Sequence, residues 1–168
     1  NLELHESHFE VARDLFAEAL TRFEAEGESL SRPAAVAKDN LGYCHIALDH
    51  VDEGVTLVER SLELLDRLGA RQAMDYPSLD LCFANVKRKR LDDAEGWGLR
   101  ALALGQEFGR QDVVKNSRYL LAETYAEMGR DAEAETQYDA LADFYPDFPA
   151  LKHYLHQVSL MGMINLRA

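Results

Sequence analysis

Positive charge is scarce in this chain: eighteen lysines and arginines stand against thirty aspartates and glutamates, giving a formal charge of -12 at pH 7 and a pI near 4.9. Such a surface lacks the basic face from which counterion release draws affinity, which disfavours nucleic acid and anionic membrane as direct partners. Proline occurs four times and glycine ten times in 168 residues, mostly at predicted element ends, as suits an all-α chain. No apolar run approaches the ~20 residues of a membrane span, so the 47% hydrophobic residues read as the core of one soluble globular domain. The only two cysteines, Cys44 and Cys82, are expected at equivalent inner positions of successive first helices; they read as small buried apolar groups in a reducing cytoplasm and not as a disulfide. No signal peptide is visible, and a start at Asn1 instead of Met suggests a processed or excised fragment.

What is present is a helical unit. In Tyr119 to Pro146, Leu121, Tyr125 and Met128 lie at helical spacing, and Gly129 follows where a helix C-terminus wants a left-handed residue. Ala134, Tyr138 and Leu141 then recur at i, i+4 and i+7, and Pro146 stops the run. Ala122 and Ala134 are small enough to let two helix backbones approach, with Tyr138 and Leu141 filling the space beside them.

The unit recurs at an offset of 40 residues. Leu121 and Ala122 step back to Leu81 and Cys82, then to Leu41 and Gly42; Ala134 steps back to Ala94 and Gly54, and Leu141 to Ala101 and Ser61. The pattern L-A-x-x-Y-x-x-x-G-R-x-x-E-A-x-x-x-Y followed by proline, together with Asn40-Leu41-Gly42, resembles the tetratricopeptide repeat, a helical hairpin of ~34 residues. The resemblance implies an all-α solenoid of antiparallel hairpins with a terminal helix. A period of 40 implies longer helices or longer connections than the family's usual unit. The long-period variant is similar to sensor and interaction domains of bacterial regulators.

In chain order, residues 1–27 read as a partial first repeat, with Ala12, Phe16 and Ala19 on the spacing of a second helix and residues before about His5 too few for a first; the natural polypeptide is expected to continue upstream. Ser31 is a candidate N-cap ahead of Pro33. Repeats are expected at 34–69, 75–109 and 112–146, with Gly69 closing the first and Asp92 or Asp93 capping the second helix of the next. Gly96 and Gly98 break the pattern, since a glycine inside a helix costs ~1 kcal/mol and Gly98 stands in the column of Phe16, Val58 and Tyr138. Trp97 is expected to supply the missing bulk; close approach to the backbone is the alternative. Residues 148–167 carry the stripe Leu151, Tyr154, Leu155, Val158 and Met161, a terminal helix that either caps the stack or docks on a neighbour.

Catalysis has no support in the residues. The pairs His5/His8 and His153/His156 lie three apart, on one face each, but zinc needs about four convergent ligands. Cys44 and His45 are adjacent and point apart on a helix. No G-x-S-x-G, P-loop, G-x-G-x-x-G or H-E-x-x-H occurs, so no cofactor or metal is expected. Lys87, Arg88, Lys89 and Arg90 form the basic run, read as cations at the negative end of a helix dipole.

In the family resembled, first helices line a concave groove. Carried over position by position, that implies a groove of Asp39, Tyr43, Ile46, Tyr76, Leu79, Phe83, Lys87, Asn116, Tyr119 and Glu123, of which some aromatics would only pack hairpin on hairpin. The carboxylate-clamp subclass is not implied, because Asp39, Tyr43 and Asp80 stand where it would want Lys or Asn. The expected function is a protein- or peptide-binding module of a larger bacterial regulatory protein. The alternative is a dimerisation module that self-associates through its open ends, with Leu151, Leu155 and Val158 as the contact.

Overall fold

The computed structural model describes residues 2–144, with side chains from residue 7 onward other than residue 143. The expected terminal helix, with Leu151, Leu155, Val158 and the His153/His156 pair, lies outside the described residues, as does Pro146. The described chain is all-helical: α1 (Leu2–Ala25), α2 (Arg32–Ala47), α3 (Val51–Arg67), α4 (Asp75–Lys87), α5 (Leu91–Glu107), α6 (Gln111–Glu127) and α7 (Asp131–Asp139), with short 3-10 turns at Arg71–Ala73 and Ala142–Phe144. No described helix is long and apolar enough to cross a membrane.

The chain reverses by one device used six times. Gly27 opens the series, and Asp49, Gly69, Lys89, Gly109 and Gly129, which also have positive φ, stand 20 residues apart. Around each, the next residue's N–H reaches back five positions, as in His50 to the His45 carbonyl (2.8 Å), Ala70 to Leu65 (2.9 Å) and Arg130 to Tyr125 (2.8 Å). This is the Schellman closure, which satisfies the orphan carbonyls of a helix end and reverses the chain at once. The period of 40 is therefore two near-equal halves, a helix of about 17 residues and a three-residue turn, so longer helices and not longer connections account for it. Between α3 and α4 the turn is extended by the 3-10 segment.

The register repeats with the turns. A Cβ on Gly42 would meet Val58 Cγ2 at 2.7 Å, and one on Gly54 would meet the Gly42 carbonyl at 2.5 Å and Ile46 Cγ1 at 2.6 Å. Forty residues on, Gly98 faces Cys82, with Sγ 3.1 Å from its would-be Cβ. Cys82 thus holds the place of Gly42, and Cys44 that of Ala84; the two thiols are both buried but not at equivalent positions. Helices α2, α4 and α6 lie side by side, each backed by its successor, and α4 touches α2, α3, α5 and α6. That central place explains why every residue from Pro77 to Val86 is buried. Ser78 Oγ bonds back to the Met74 carbonyl (2.6 Å) and Asn85 Nδ2 to the Leu81 carbonyl (2.8 Å), each four residues earlier.

Several local expectations need correction. The residues before His5 do not begin a separate first helix; α1 runs unbroken from Leu2 to Ala25. Its inner residues Ala12, Phe16 and Ala19 are only half-buried, since α1 packs mainly on α2. Asp92 and Asp93 stand in the first turn of α5, and Arg90 is its N-cap without a side-chain bond. Their charge still suits the positive end of the dipole. Gly98 is needed because Leu121 Cδ2 and Cys82 Sγ press on its backbone, at 2.8 and 3.1 Å from a Cβ; Trp97 packs from the side and does not fill that space. The helix expected to run to Pro146 ends at Asp139. Ser31 does cap α2, accepting the Ala34 N–H at 3.3 Å, with Pro33 in the first turn.

The basic run is a latch between hairpins. Lys87 Nζ donates to the Ile46 carbonyl at the C-terminus of α2 (2.9 Å) and pairs with Asp49, and Arg88 pairs with Asp52 of α3. Lys89 reaches the other way to Glu127 at 2.6 Å. Lys87 stands in the last turn of α4 and so complements the dipole of its own helix as well as that of α2.

Candidate functional site

The ten residues expected to line a groove separate into two groups. Ile46, Leu79 and Tyr119 are fully buried, with Phe83 and Asn116 at 2% and 1% exposure, so they are walls and not contact surface. Glu123 is half-buried and accepts the Tyr138 hydroxyl of α7. Lys87 is spent on the latch, its ammonium also 5.5 Å from the Phe83 ring centre. Asp39, Tyr43 and Tyr76 remain, and these three line one cleft of about 700 Å³ beside the N-terminal halves of α2 and α4. Its size is that of a small-ligand or side-chain site.

The cleft is built where helix starts converge. Arg32, Val36, Asp39, Asn40 and Tyr43 come from one flank of α2, while Gln72 and Ala73 come from the 3-10 turn. Asp75, Tyr76 and Asp80 come from the start of α4, and Phe108 and Arg110 from the turn before α6. Tyr43 is held from both sides, its ring 5.7 Å from Phe9 in an edge-on contact and 6.2 Å from Phe83. Fixed aromatic rings cost little further entropy on binding, which suits them to recognition.

Three aspartates, Asp39, Asp75 and Asp80, are at most 4% exposed. Asp75 Oδ1 accepts the Tyr76 N–H at 2.9 Å, and its Oδ2 lies 3.4 Å from the Arg110 guanidinium without hydrogen-bonding geometry. Burial pushes the Asp75 carboxyl above its ordinary range, against the opposing pull of the Tyr76 N–H and Arg110. Arg110 also covers the Tyr76 ring at 4.9 Å and stands 3.7 Å from Asp112, whose carboxylate accepts the Tyr76 hydroxyl. Burial and that bond together raise the Tyr76 phenol. For Asp112 burial acts upward, but the Tyr76 hydroxyl, the Val113 N–H and Arg110 outweigh it and hold the carboxyl low. On the far side Arg32 faces the Gln72 amide oxygen at 3.2 Å, in the orientation that satisfies both groups.

The arrangement offers aromatic faces, amides and guanidinium donors within one recess, over a floor of buried carboxylates. Those groups can hold a polar, irregular segment by several oriented hydrogen bonds. Sequence reasoning reached Asp39, Tyr43 and Tyr76 through the inner face of the first helices. It missed Arg32, Gln72, Asp75, Phe108 and Arg110, which lie at helix starts and turns, where no 3.6-residue period applies. One signal was present: Asp75 and Asp80 are acidic residues set in the apolar run of α4.

The chain matches no protein-family model, no curated protein and no solved structure.

Proposed function

We propose that this chain is a tetratricopeptide-like solenoid that binds a protein or peptide segment, and that it serves as a non-catalytic interaction module within a larger regulatory polypeptide of the bacterial cytoplasm. The observation that carries the reading is the cleft of about 700 Å³ in which Tyr43 and Tyr76 stand among buried aspartates and two arginines. Hairpins in a fixed register and six like turns support the solenoid, because each unit then presents its first helix to the same side. Selection of binders from a random peptide library on the immobilised chain tests it. Enriched peptides should bind wild type and lose at least about tenfold in affinity to Tyr76→Ala, the loss of one interface anchor. A library yielding no peptide, or peptides indifferent to Tyr76→Ala and to Arg32→Ala, would overturn the reading. Tyr119→Ala is no use in this test, because Tyr119 is fully buried and would report on folding.

The alternative, self-association through an open end, has one observation in its favour. Val11 and Leu15 of α1 are 61% and 60% exposed and lie one helical turn apart. Equilibrium sedimentation of wild type and Val11→Asp/Leu15→Asp decides it: a dimer that the double variant dissociates favours this reading, and a monomer in both removes it.

A further inference from the structure

Away from the cleft, the α2–α3 turn brings together three metal-binding groups that no motif signalled. His45 closes the last turn of α2, His50 is the N-cap of α3, and Glu53 stands in the first turn of α3, a spacing of H-x4-H-x2-E. His45 Nδ1 is 3.4 Å from Glu53 Oε2, and His50 Nδ1 is 3.7 Å from the same oxygen. One donor atom from each of the three lies within 4.8 Å of the others.

A tetrahedral ion with bonds of ~2.0–2.1 Å holds its donors about 3.4 Å apart. The His45–Glu53 edge already has that length, and the His50–Glu53 edge exceeds it by 0.3 Å. Closing the third edge requires a rotation of one imidazole, and His50 is free to make it: its side chain is 53% exposed and forms no cap bond. His45 contributes an independent feature, since its Nδ1 is buried yet has no hydrogen-bond partner. A buried imidazole nitrogen left without a hydrogen-bond partner costs free energy, and coordination to a cation would recover it. The scaffold beneath is rigid, because the Asp49 turn is closed by the His50 N–H on the His45 carbonyl at 2.8 Å and by the Lys87–Asp49 pair.

We propose that His45, His50 and Glu53 form a site for a divalent first-row transition metal of the zinc class, with solvent in the remaining position. Two imidazoles and one carboxylate suit Zn²⁺, Co²⁺ or Ni²⁺ and not the all-oxygen preference of Ca²⁺ or Mg²⁺. The bound ion would pin the end of α2 to the start of α3, at the same edge where Lys87 and Arg88 latch the next hairpin.

The test is a competition titration of the full chain with Zn²⁺ against a chromophoric chelator, repeated with Co²⁺ to read d–d absorption. His8 and the other histidines are removed in a His5→Ala/His8→Ala/His153→Ala/His156→Ala background. The expected result is one equivalent bound in both wild type and that background, with affinity falling at least about tenfold in His50→Ala and in Glu53→Gln, the lower bound for loss of even an outer-shell partner. Because His50 and Glu53 are exposed, both variants should keep the wild-type circular dichroism, which separates lost ligation from lost folding. No uptake at about 100 µM metal, uptake unchanged in His50→Ala and Glu53→Gln, or uptake lost in the four-histidine background would each overturn the proposal and leave Glu53 as a partner in ion pairs only.

Discussion

Two glycine-to-alanine substitutions, one at Gly54 and one at Gly96, should move stability in opposite directions. Both residues sit inside helices, where alanine is favoured over glycine by ~1 kcal/mol through helix propensity and the lower entropy of the unfolded chain. At Gly96 nothing lies within 4 Å of a new Cβ, so the gain is kept and the variant should be stabilised by about 0.5–1 kcal/mol. At Gly54 the same Cβ would sit 2.5 Å from the Gly42 carbonyl oxygen and 2.9 Å from the Ile46 nitrogen. Both are backbone atoms of α2 and cannot rotate aside. To restore ordinary contact at 3.4 Å, α2 and α3 must part by about 0.9 Å, a gap that forfeits a quarter to a half of the dispersion energy along the seam. Overpacking of this kind costs ~1–3 kcal/mol, and a rigid backbone partner places it at the upper end. Subtracting the propensity gain leaves a net destabilisation of about 2 kcal/mol, or roughly 4–8 °C in Tm for a domain of this size. Urea and thermal unfolding followed by far-UV circular dichroism reads both variants. The reasoning is refuted if Gly54→Ala is as stable as wild type, or if Gly96→Ala loses as much as Gly54→Ala.

Asp75→Asn keeps an oxygen for the Tyr76 N–H while removing a charge from a buried site. The folded carboxyl is raised above 3.8, so Asp75 contributes stability that is fully present below that pH and is lost as pH rises through the folded value. The variant should therefore be more stable than wild type at neutral pH, with the gap closing on acidification; urea titrations across pH check this, and a gap that widens toward acid refutes it. Ser61→Ala removes the bond from Ser61 Oγ to the Ala35 carbonyl, 2.7 Å long and wholly buried. It should cost about 1 kcal/mol in the same unfolding assay, and an unchanged midpoint would contradict the bond's role. Cys44 and Cys82 are buried, and burial drives the Cys82 thiol far up. An aromatic disulfide reagent should label both thiols in denaturant and neither promptly in the native protein; rapid native labelling would contradict their burial.

Much of the helical order was legible before any coordinates. Gly69 and Gly129 could be read as helix ends because only glycine adopts positive φ at little cost, and Ser31 followed by Pro33 as a start because their chemistry is local. Asp49 and Lys89 do the same work as those glycines and were not read as turns, since nothing in a lone aspartate or lysine announces φ near +60°. Their place becomes visible only through the 20-residue spacing of the five turns from Asp49 to Gly129. The candidate groove was legible in part for a related reason. The resemblance to the tetratricopeptide repeat implied which face of each first helix is inward, and so reached Tyr43 and Tyr76 along with Tyr119 and Leu79. It could not say that α4 is enclosed by α2, α3, α5 and α6, which buries Leu79, nor that Tyr119 of α6 is wholly buried.

By itself, then, the sequence determined the helices, their small-residue seams at Gly42, Gly54 and Ala134, and the offset of 40 that puts them in one register. These are properties of neighbours within a few turns of chain, written in φ preference and side-chain volume. Only the tertiary structure decided that Leu121 lies against Gly98, that the basic run latches three hairpins, that Asp75 and Arg110 meet beside Tyr76, and that His45, His50 and Glu53 converge. Each depends on which surface faces which across 3 to 41 residues, and a residue's periodicity records how apolar its face is but not what will be pressed against it.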